Sequence, residues 1–458
     1  MTVHHPERAR ARLDADGLHA SLGAPESESM TFLNEIAQRY PEAISFAAGR
    51  PYEGFLDLDA VHRYLDTYRR HLDARTGGDQ ALVRRTLLQY GRTKGIIHEL
   101  IAEYLLVDEG IVADPEHIVV TVGCQEALYL VLRALRRDAK DVLLAVAPTY
   151  VGAHGAARLA DLPVLPVPDS PDGLSPADLA AAATAARSAG LRPRACYLIP
   201  DFANPTGVSL SAARRRELLR VAEEQDLLLL EDNPYGIFGD GRHVPTMKSL
   251  DDSDRVVYLG SFAKTGLAGA RVGFAVAGQR VVRRDGSASS GTGHSTLSDE
   301  LAKLKSMLTV NTSPLAQAVI GGKLLEHGCS LRAANVQETA VYQRNLHLVL
   351  DGLDRRFKTG AGATAAVSWN RPQGGFFILV DLPFTAGDAE LESSARQFGV
   401  LWTPLHHFYA DGLPRQRVRL SFSHLEPAEI DEGLDRFAAF VRAQDTTRNA
   451  LRGRTHAT

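Results

Sequence analysis

From about residue 80 to residue 278, short apolar runs alternate with stretches of helical period. The runs are "HIVVTVG" (117–123), "DVLLAVAP" (141–148), "ACYLIPDF" (195–202), "DLLLLED" (226–232), "RVVYLGSF" (255–262) and "RVGFAVAG" (271–278). Nearly continuous apolar strands separated by helices predict a mostly parallel α/β sheet covered on both faces. Ligands of such sheets collect beyond the carboxyl ends of the strands. Upstream, Met30, Leu33 and Ile36 of "ESMTFLNEIAQRY" recur at helical spacing and predict a short amphipathic helix. A long helical stretch is expected from about Leu315 to Leu353. Beyond it, "SWNRPQGGFFILVDLP" and "QRVRLSFSHLEPAEIDEGLDRFAAFV" read as a strand and a strand–helix of a second, smaller α+β unit. The Gly- and Ser-rich "RRDGSASSGTGHSTLSDE" breaks the rhythm and reads as an exposed insertion. Both ends of the chain are polar and are expected to be poorly ordered.

Composition narrows the class. The 458 residues suffice for two domains and a large core. A net charge of −4 provides no basic field for nucleic acid. Cys124, Cys196 and Cys329 are odd in number and widely spaced, matching neither a zinc pattern nor a disulfide framework. No apolar run reaches the roughly 18–20 residues of a membrane span, and no secretory apolar segment opens the chain. The expectation is a cytoplasmic globular protein with no nucleic-acid or membrane partner.

Each strand end carries a polar group that packing alone does not select. Gly123-Cys124-Gln125 opens a helix, and free backbone N–H groups at a helix start suit a phosphate. Taken alone, this is also an ordinary strand–helix turn. Asn204-Pro205-Thr206-Gly207 follows the next such strand and has the plain reading of a β-turn. Asp232 ends "LLLLE", where a buried carboxylate needs a cation or several donors, or serves as a helix cap. Ser261 and Lys264 follow "RVVYLG", with Arg271 beyond. A lysine in such a run is costly to bury as a bare ammonium. Together these residues describe one ligand. It has a phosphate for the helix start, Ser261 and Arg271; a basic ring nitrogen for Asp232; a phenolic oxygen for Asn204 and Tyr235; and a carbonyl for Lys264. Pyridoxal 5′-phosphate has all four, and Lys264 would then be an imine with it.

The ordered set "QYG…TxG", "VGCQEAL", "APTYVG", "DFANPTG", "EDNPYG", "SFAKTGLAGARVGF" and "VRLSFS" resembles the class I/II aminotransferases of the aspartate-aminotransferase fold. Within these it is similar to the kynurenine and 2-aminoadipate branch, over about residues 30–440. The resemblance implies an α/β pyridoxal-phosphate transferase fold, with a mostly parallel seven-stranded sheet flanked by helices and a smaller α+β domain. It divides the chain into a flexible segment 1–29, a lid and first part of the small domain at 30–74, a large cofactor domain at 75–340, the small domain at 341–445 and a flexible tail at 446–458. It implies that Lys264 carries the cofactor and shuttles protons, that Asp232 holds the pyridine nitrogen protonated, and that Tyr235 and Asn204 bind the ring oxygen. Tyr150 stacks on the ring; Gly123, Cys124, Gln125, Ser261 and Arg271 form the phosphate cup. Tyr90 reaches the phosphate of the neighbouring subunit, so the active unit is a homodimer. Arg419 clamps the substrate carboxylate in a bidentate fork; Asn204, Gly49, Arg50 and Tyr90 border the substrate. No metal is implied.

"SMTFLNEIAQRYPEAISFAAGRPYEGF", "VTVGCQEALYL" and "LAKLKSMLTVNTSPLAQAVIGG" resemble, more narrowly, the aminotransferases that make hydroxylated phenylglycines for nonribosomal peptide antibiotics. The implied reaction moves an amino group from an L-amino acid to a 2-oxo acid, here an arylglyoxylate. The alternatives are a general aromatic or 2-aminoadipate aminotransferase, or a lyase, cyclase or oxidase on the same fold. A transcription factor fused to an aminotransferase-like module needs roughly 70 further N-terminal residues, and the pattern already starts near Met30.

Some positions depart from the family pattern. Arg92 and Lys94 replace a loop proline and an often acidic residue; solvent exposure is expected for both, against extra charge facing a substrate. Arg50 is read either as contacting a substrate's distal group or as pairing with Glu53. His406 and His407 sit in a loop that walls the pocket in relatives, where one could bond an aryl hydroxyl or both be solvated; adjacent histidines need a third ligand to hold a metal. Cys124 reads as a small packing residue whose thiol pKa a helix start could lower.

Overall fold

The structure is a computed structural model that describes residues 12–23, 29, 32, 35–282, 295–358 and 366–455. Seven strands form the main sheet: β1 (Ile118–Val122), β2 (Asp141–Ala147), β3 (Val164–Pro168), β4 (Arg192–Leu198), β5 (Leu228–Asp232), β6 (Val256–Ser261) and β7 (Val272–Val276). Their order is β1-β7-β6-β5-β4-β2-β3, and all neighbours are parallel except those of β7, which is antiparallel to both β1 and β6. Six strands fall where the apolar runs placed them. The seventh, β3, was not anticipated: its sequence "VLPVP" carries prolines, which confine a segment to a sheet edge, and it pairs on one side only.

A second, four-stranded antiparallel sheet contains β8 (Ser368–Trp369), β9 (Phe377–Ala386), β10 (Thr403–Pro404) and β11 (Arg415–Ser421) in the order β8-β9-β11-β10. Helices Val336–Phe357 and Pro427–Thr455 share a core with it through Leu346, Val349, Ile378, Val380, Leu434 and Phe437. The continuous helix expected from Leu315 to Leu353 is instead three, Pro314–Glu326, Leu331–Ala334 and Val336–Phe357. The break falls at Gly328 and Cys329, both left-handed at φ 59° and 55°, a conformation that cannot continue a helix. The expected N-terminal helix is present, helical at 29, 32 and 35–39 with Ile36 buried, while Met30 and Leu33 lie outside the described residues, as do 283–294 of the Gly/Ser-rich segment.

Two polar networks fix the approach to the Gly123 turn. Thr296 and Asp299 form a capping box on helix Leu297–Leu308. Asp299 also accepts from Lys94 Nζ at 2.7 Å. Burial pushes the Asp299 carboxyl up, but the bonds from Lys94 and Thr296 outweigh it and bring it down to about 2. Lys94 is therefore neither solvated nor turned to a substrate: its side chain is 11% exposed and ties the loop after Tyr90 to this helix. Arg92 pairs with Glu116, half-exposed. Deeper, Lys305 donates to Glu126 Oε2 at 2.8 Å, Thr309 donates to Oε1 at 2.6 Å, and Glu126 accepts the Val122 amide at 2.6 Å. Both ions are buried.

Removing one member of a buried pair leaves the other charge uncompensated. Lys305→Met should destabilise the protein by about 3 kcal/mol, read as a lower denaturation midpoint. The double variant Lys305→Met/Glu126→Leu should recover most of that loss.

Candidate active site

A cavity of about 270 Å³ opens beyond the carboxyl ends of the main sheet and collects most of the residues singled out above. Its floor is the turn from β1 into helix Gly123–Leu135. Gly123 is left-handed at φ 71°, and a Cβ there would lie 2.6 Å from a guanidinium nitrogen of Arg271. Gly273 on β7 approaches from the other side, where a Cβ would lie 2.4 Å from the Cys124 amide nitrogen. Backbone, helix start and arginine thus close on one point. The helix start has no side-chain cap, and Arg271 has no ion pair among the described residues. Free amides, a positive helix end and an uncompensated guanidinium form a site for an anion. Gln125 donates to the Gly152 carbonyl at 2.7 Å, fixing this turn to the one that bears Tyr150. Ser261, at the end of β6, lines the same end of the cavity.

Asp232 ends β5 and is buried. It caps no helix: its oxygens face Tyr197 and Cys124, while Asn233 takes the turn-capping bond from Gly236. Burial pushes Asp232 up to about 6 against the lowering bonds from Tyr197 and Cys124. The Cys124 thiol moves opposite to the expected direction. Burial, then the Asp232 charge, push it well above its ordinary value, outweighing Arg271. It is a protonated packing residue.

Lys264 Nζ donates to the Gly49 carbonyl at 2.7 Å. Burial, then the charges of Arg419, Arg271 and Arg50, bring it down to about 8. A substantial neutral fraction near neutral pH is what a nucleophilic or base-acting amine requires. Gly49 itself is a close approach, since a Cβ there would lie 2.6 Å from the tip of Phe377.

Arg419 on β11 is 4% exposed. It donates to Asn204 Oδ1 and to the Ala47 carbonyl, each at 2.7 Å, and to Thr403 Oγ1 at 3.2 Å. Its guanidinium lies between Phe377 and Phe408, 4.3 and 4.9 Å from the ring centroids. None of its partners is anionic, and its Nε is buried without a partner. A buried cation with neutral partners is costly, and a carboxylate entering the cavity would offset that cost. Tyr235 packs edge-on to Phe376 and Phe377 beside Asn204.

Four residues stand apart. Tyr90 is 80% exposed and outside the cavity. Arg50 lines a neighbouring cavity of about 1000 Å³ that shares Lys264 and Arg271 with the first. No ion pair joins it to Glu53 among the described residues. His406 and His407 are buried and not solvated; their Nε2 atoms lie 3.5 and 2.9 Å from Asp388 Oδ1, and Ser29 bonds His407 Nδ1 at 2.8 Å. Asp388 supplies the third ligand-type group that the adjacent pair lacked in the sequence, and the bonds within the cluster account for the arrangement without an ion. The loop contributes Phe408 to the cavity instead. Phe377 and Tyr197 escaped the sequence reading, since each lies in a run read only as a strand, whereas Phe408 belongs to the loop expected to wall the pocket.

The sequence model of the family "Aminotransferase class I and II" matches residues 60–437. The chain is 52% identical over 433 residues, 94% of its length and 95% of the relative's, to "(S)-3,5-dihydroxyphenylglycine transaminase" of Amycolatopsis orientalis. It is 31% identical to a Thermus thermophilus 2-aminoadipate transaminase, over 92% of this chain and 95% of that one. Among solved structures, α-aminoadipate aminotransferase from Thermus thermophilus, complexed with N-(5′-phosphopyridoxyl)-L-leucine, superposes with a TM-score of 0.71. It is 28% identical, over 94% of this chain and 98% of that one. Pyrococcus horikoshii kynurenine aminotransferase gives a TM-score of 0.73 at 26% identity, over 90% and 94%. The family expectation, the fold and the enzyme class read from the motifs agree with these findings: the chain belongs to the class I and II aminotransferases.

Proposed function

We propose that this aminotransferase uses pyridoxal 5′-phosphate to make an aryl-substituted glycine, exchanging an amino group between an L-amino acid and an arylglyoxylate. The observation that carries the substrate class is the 52% identity, across nearly both chains, to a transaminase named for dihydroxyphenylglycine. The donor set fits the cofactor. An uncompensated Arg271 at the Gly123 turn suits its phosphate, a buried carboxylate suits its ring nitrogen, and a lysine near pKa 8 suits its aldehyde. Asn204 and Tyr235 would hold its ring oxygen, Tyr150 its ring face, and Cys124, Gln125 and Ser261 the rest of its cradle. Bound there, the cofactor supplies an electron sink for negative charge at the substrate Cα.

The chain's own residues divide the remaining work. Arg419 takes the substrate carboxylate, held in place by Asn204, Ala47 and Thr403, and so orients the Cα–H bond. Lys264 Nζ, brought down to about 8, takes the Cα proton in its neutral form and returns it. Phe377, Phe408 and Tyr150 wall the cavity with aromatic surface, which suits a ring attached directly to Cα. Arg50, without an ion pair among the described residues, stands at the neighbouring cavity to meet a polar ring substituent. The exposed Tyr90 suits a second copy of the chain, whose cofactor phosphate it would reach across a homodimer interface.

The test is a two-substrate screen of purified enzyme with pyridoxal phosphate, arylglyoxylates and 2-oxoglutarate, following the amino acid product and its chirality. Efficient formation of a hydroxylated phenylglycine is expected. Turnover confined to 2-oxoglutarate with ordinary aromatic or 2-aminoadipate donors would overturn the substrate reading.

Arg419→Ala should cost on the order of 3 kcal/mol in kcat/KM, about a hundredfold, for every amino and oxo acid tested. Arg419→Lys, which keeps the charge but loses the fork, should recover part of this. A loss limited to one substrate would make Arg419 a side-chain reader.

The rate at which apoenzyme captures the cofactor should rise as pH passes about 8, where Lys264 loses its proton, and then level off. Arg419→Ala removes one of the cations that lower Lys264, so it should move that limb to higher pH. Rapid-mixing absorbance measurements across pH read both.

A further inference from the structure

Asp232 has two inequivalent oxygens. Oδ2 accepts a hydrogen bond from the Tyr197 hydroxyl at 2.6 Å, while Oδ1 has only the Cys124 thiol at 3.5 Å. A thiol is a weak donor, so Oδ1 is the oxygen that a stronger donor can claim. Asp232 and Cys124 both line the cavity and Tyr197 does not. Tyr197 belongs to β4, is fully buried, and stands in register with Leu230 of β5. It therefore reaches the carboxylate from the sheet interior, on the side away from any ligand.

The direction of this bond is settled by chemistry. Burial and the Asp232 charge push the Tyr197 phenol well above its ordinary pKa, so it stays protonated and donates. The groups that face Asp232 are few. Cys124 comes from helix Gly123–Leu135, Tyr150 from the turn before helix Val151–Leu159, Tyr197 from β4 and Tyr235 from the turn after β5. Arg271 and Lys264 share the cavity without contacting the carboxylate. Among the described residues Asp232 has no ion pair, so Tyr197 is its one strong donor. A buried carboxylate with a single strong donor depends on that donor both for its charge and for its aim.

We propose that Tyr197 is a positioning residue that holds Asp232 in its anionic form and turns Oδ1 toward the cavity, where it would meet the ring nitrogen of the cofactor. The inference rests on the proposed role of Asp232, and its test separates the two.

Holoenzyme would be loaded with pyridoxal phosphate labelled at the ring nitrogen and observed by nitrogen NMR, with cofactor affinity and the pH profile of kcat/KM measured alongside. Tyr197→Phe keeps the ring and removes only the hydroxyl. It should move the nitrogen resonance toward its unprotonated position and weaken cofactor binding about tenfold. It should also shift the acid limb of kcat/KM to higher pH, because Asp232 then protonates more readily. Replacement of Tyr197 by 3,5-difluorotyrosine, a stronger donor, should shift the limb to lower pH and serves as the test if the phenylalanine variant folds poorly. A resonance and acid limb unmoved in both variants, with both properties lost in Asp232→Ala, would overturn the role of Tyr197 alone. A resonance and affinity unchanged in Asp232→Ala would overturn the reading of Asp232 and this inference with it.

Discussion

The arrangement of the site depends on a guanidinium that is buried without a counter-ion. Arg419 is held by an amide oxygen, a main-chain carbonyl and a hydroxyl, and flanked by the faces of two phenylalanines. Each partner solvates the charge without cancelling it. The field that remains reaches Lys264, whose pKa falls first through burial and next through this same cation. An anion on Arg419 would cancel that field, so carboxylate binding and the state of the lysine are coupled. The second sheet, with its own core, exists in functional terms to bring β11 and its arginine against Asn204 of the loop that follows β4.

Three ion pairs elsewhere follow the opposite rule. Lys305 with Glu126, Lys94 with Asp299, and Arg215 with Asp201 are compensated ions that lock backbone turns. Around the cavity, several charges are left open: Arg419 without an anion, the exposed Arg271 over bare amides, and Asp232 with a phenol and a thiol for donors. Lys323 on the Thr265 carbonyl and Glu231 on the Met247 and Lys248 amides are also buried without a counter-ion, so it is the convergence of two open cations and a carboxylate on one cavity that marks where a ligand completes the electrostatics.

Legibility in the sequence followed the range of each interaction. Six strands and the positions of Lys264, Asp232, Asn204 and Gly123 could be read because a polar residue ending an apolar run is a local signal. β3 was hidden by its prolines, and the break at Gly328 and Cys329 by an otherwise unbroken apolar period. Lys94 was read as exposed because its partner, Asp299, lies far along the chain. His406 and His407 were read as pocket or solvent groups for the same reason, since Asp388 and Ser29 are remote. The direction of the Cys124 shift was misjudged because a helix start is visible locally, whereas the Asp232 carboxylate beside the thiol is not.

Tyr197 is the sharpest case of this limit. Within "ACYLIPDF" it is one more apolar strand residue, and its burial in the sheet core agrees with that reading. Its chemistry comes from the register of β4 against β5, which carries the hydroxyl to a carboxylate two positions beyond its Leu230 partner. A phenylalanine there would satisfy every packing requirement of the strand. The hydroxyl is the part that packing does not demand, and in this fold it lands on a carboxylate that has no other strong donor. Core positions of a parallel sheet can thus carry function one layer behind the visible site, wherever the register sets a donor behind a ligand-facing acid.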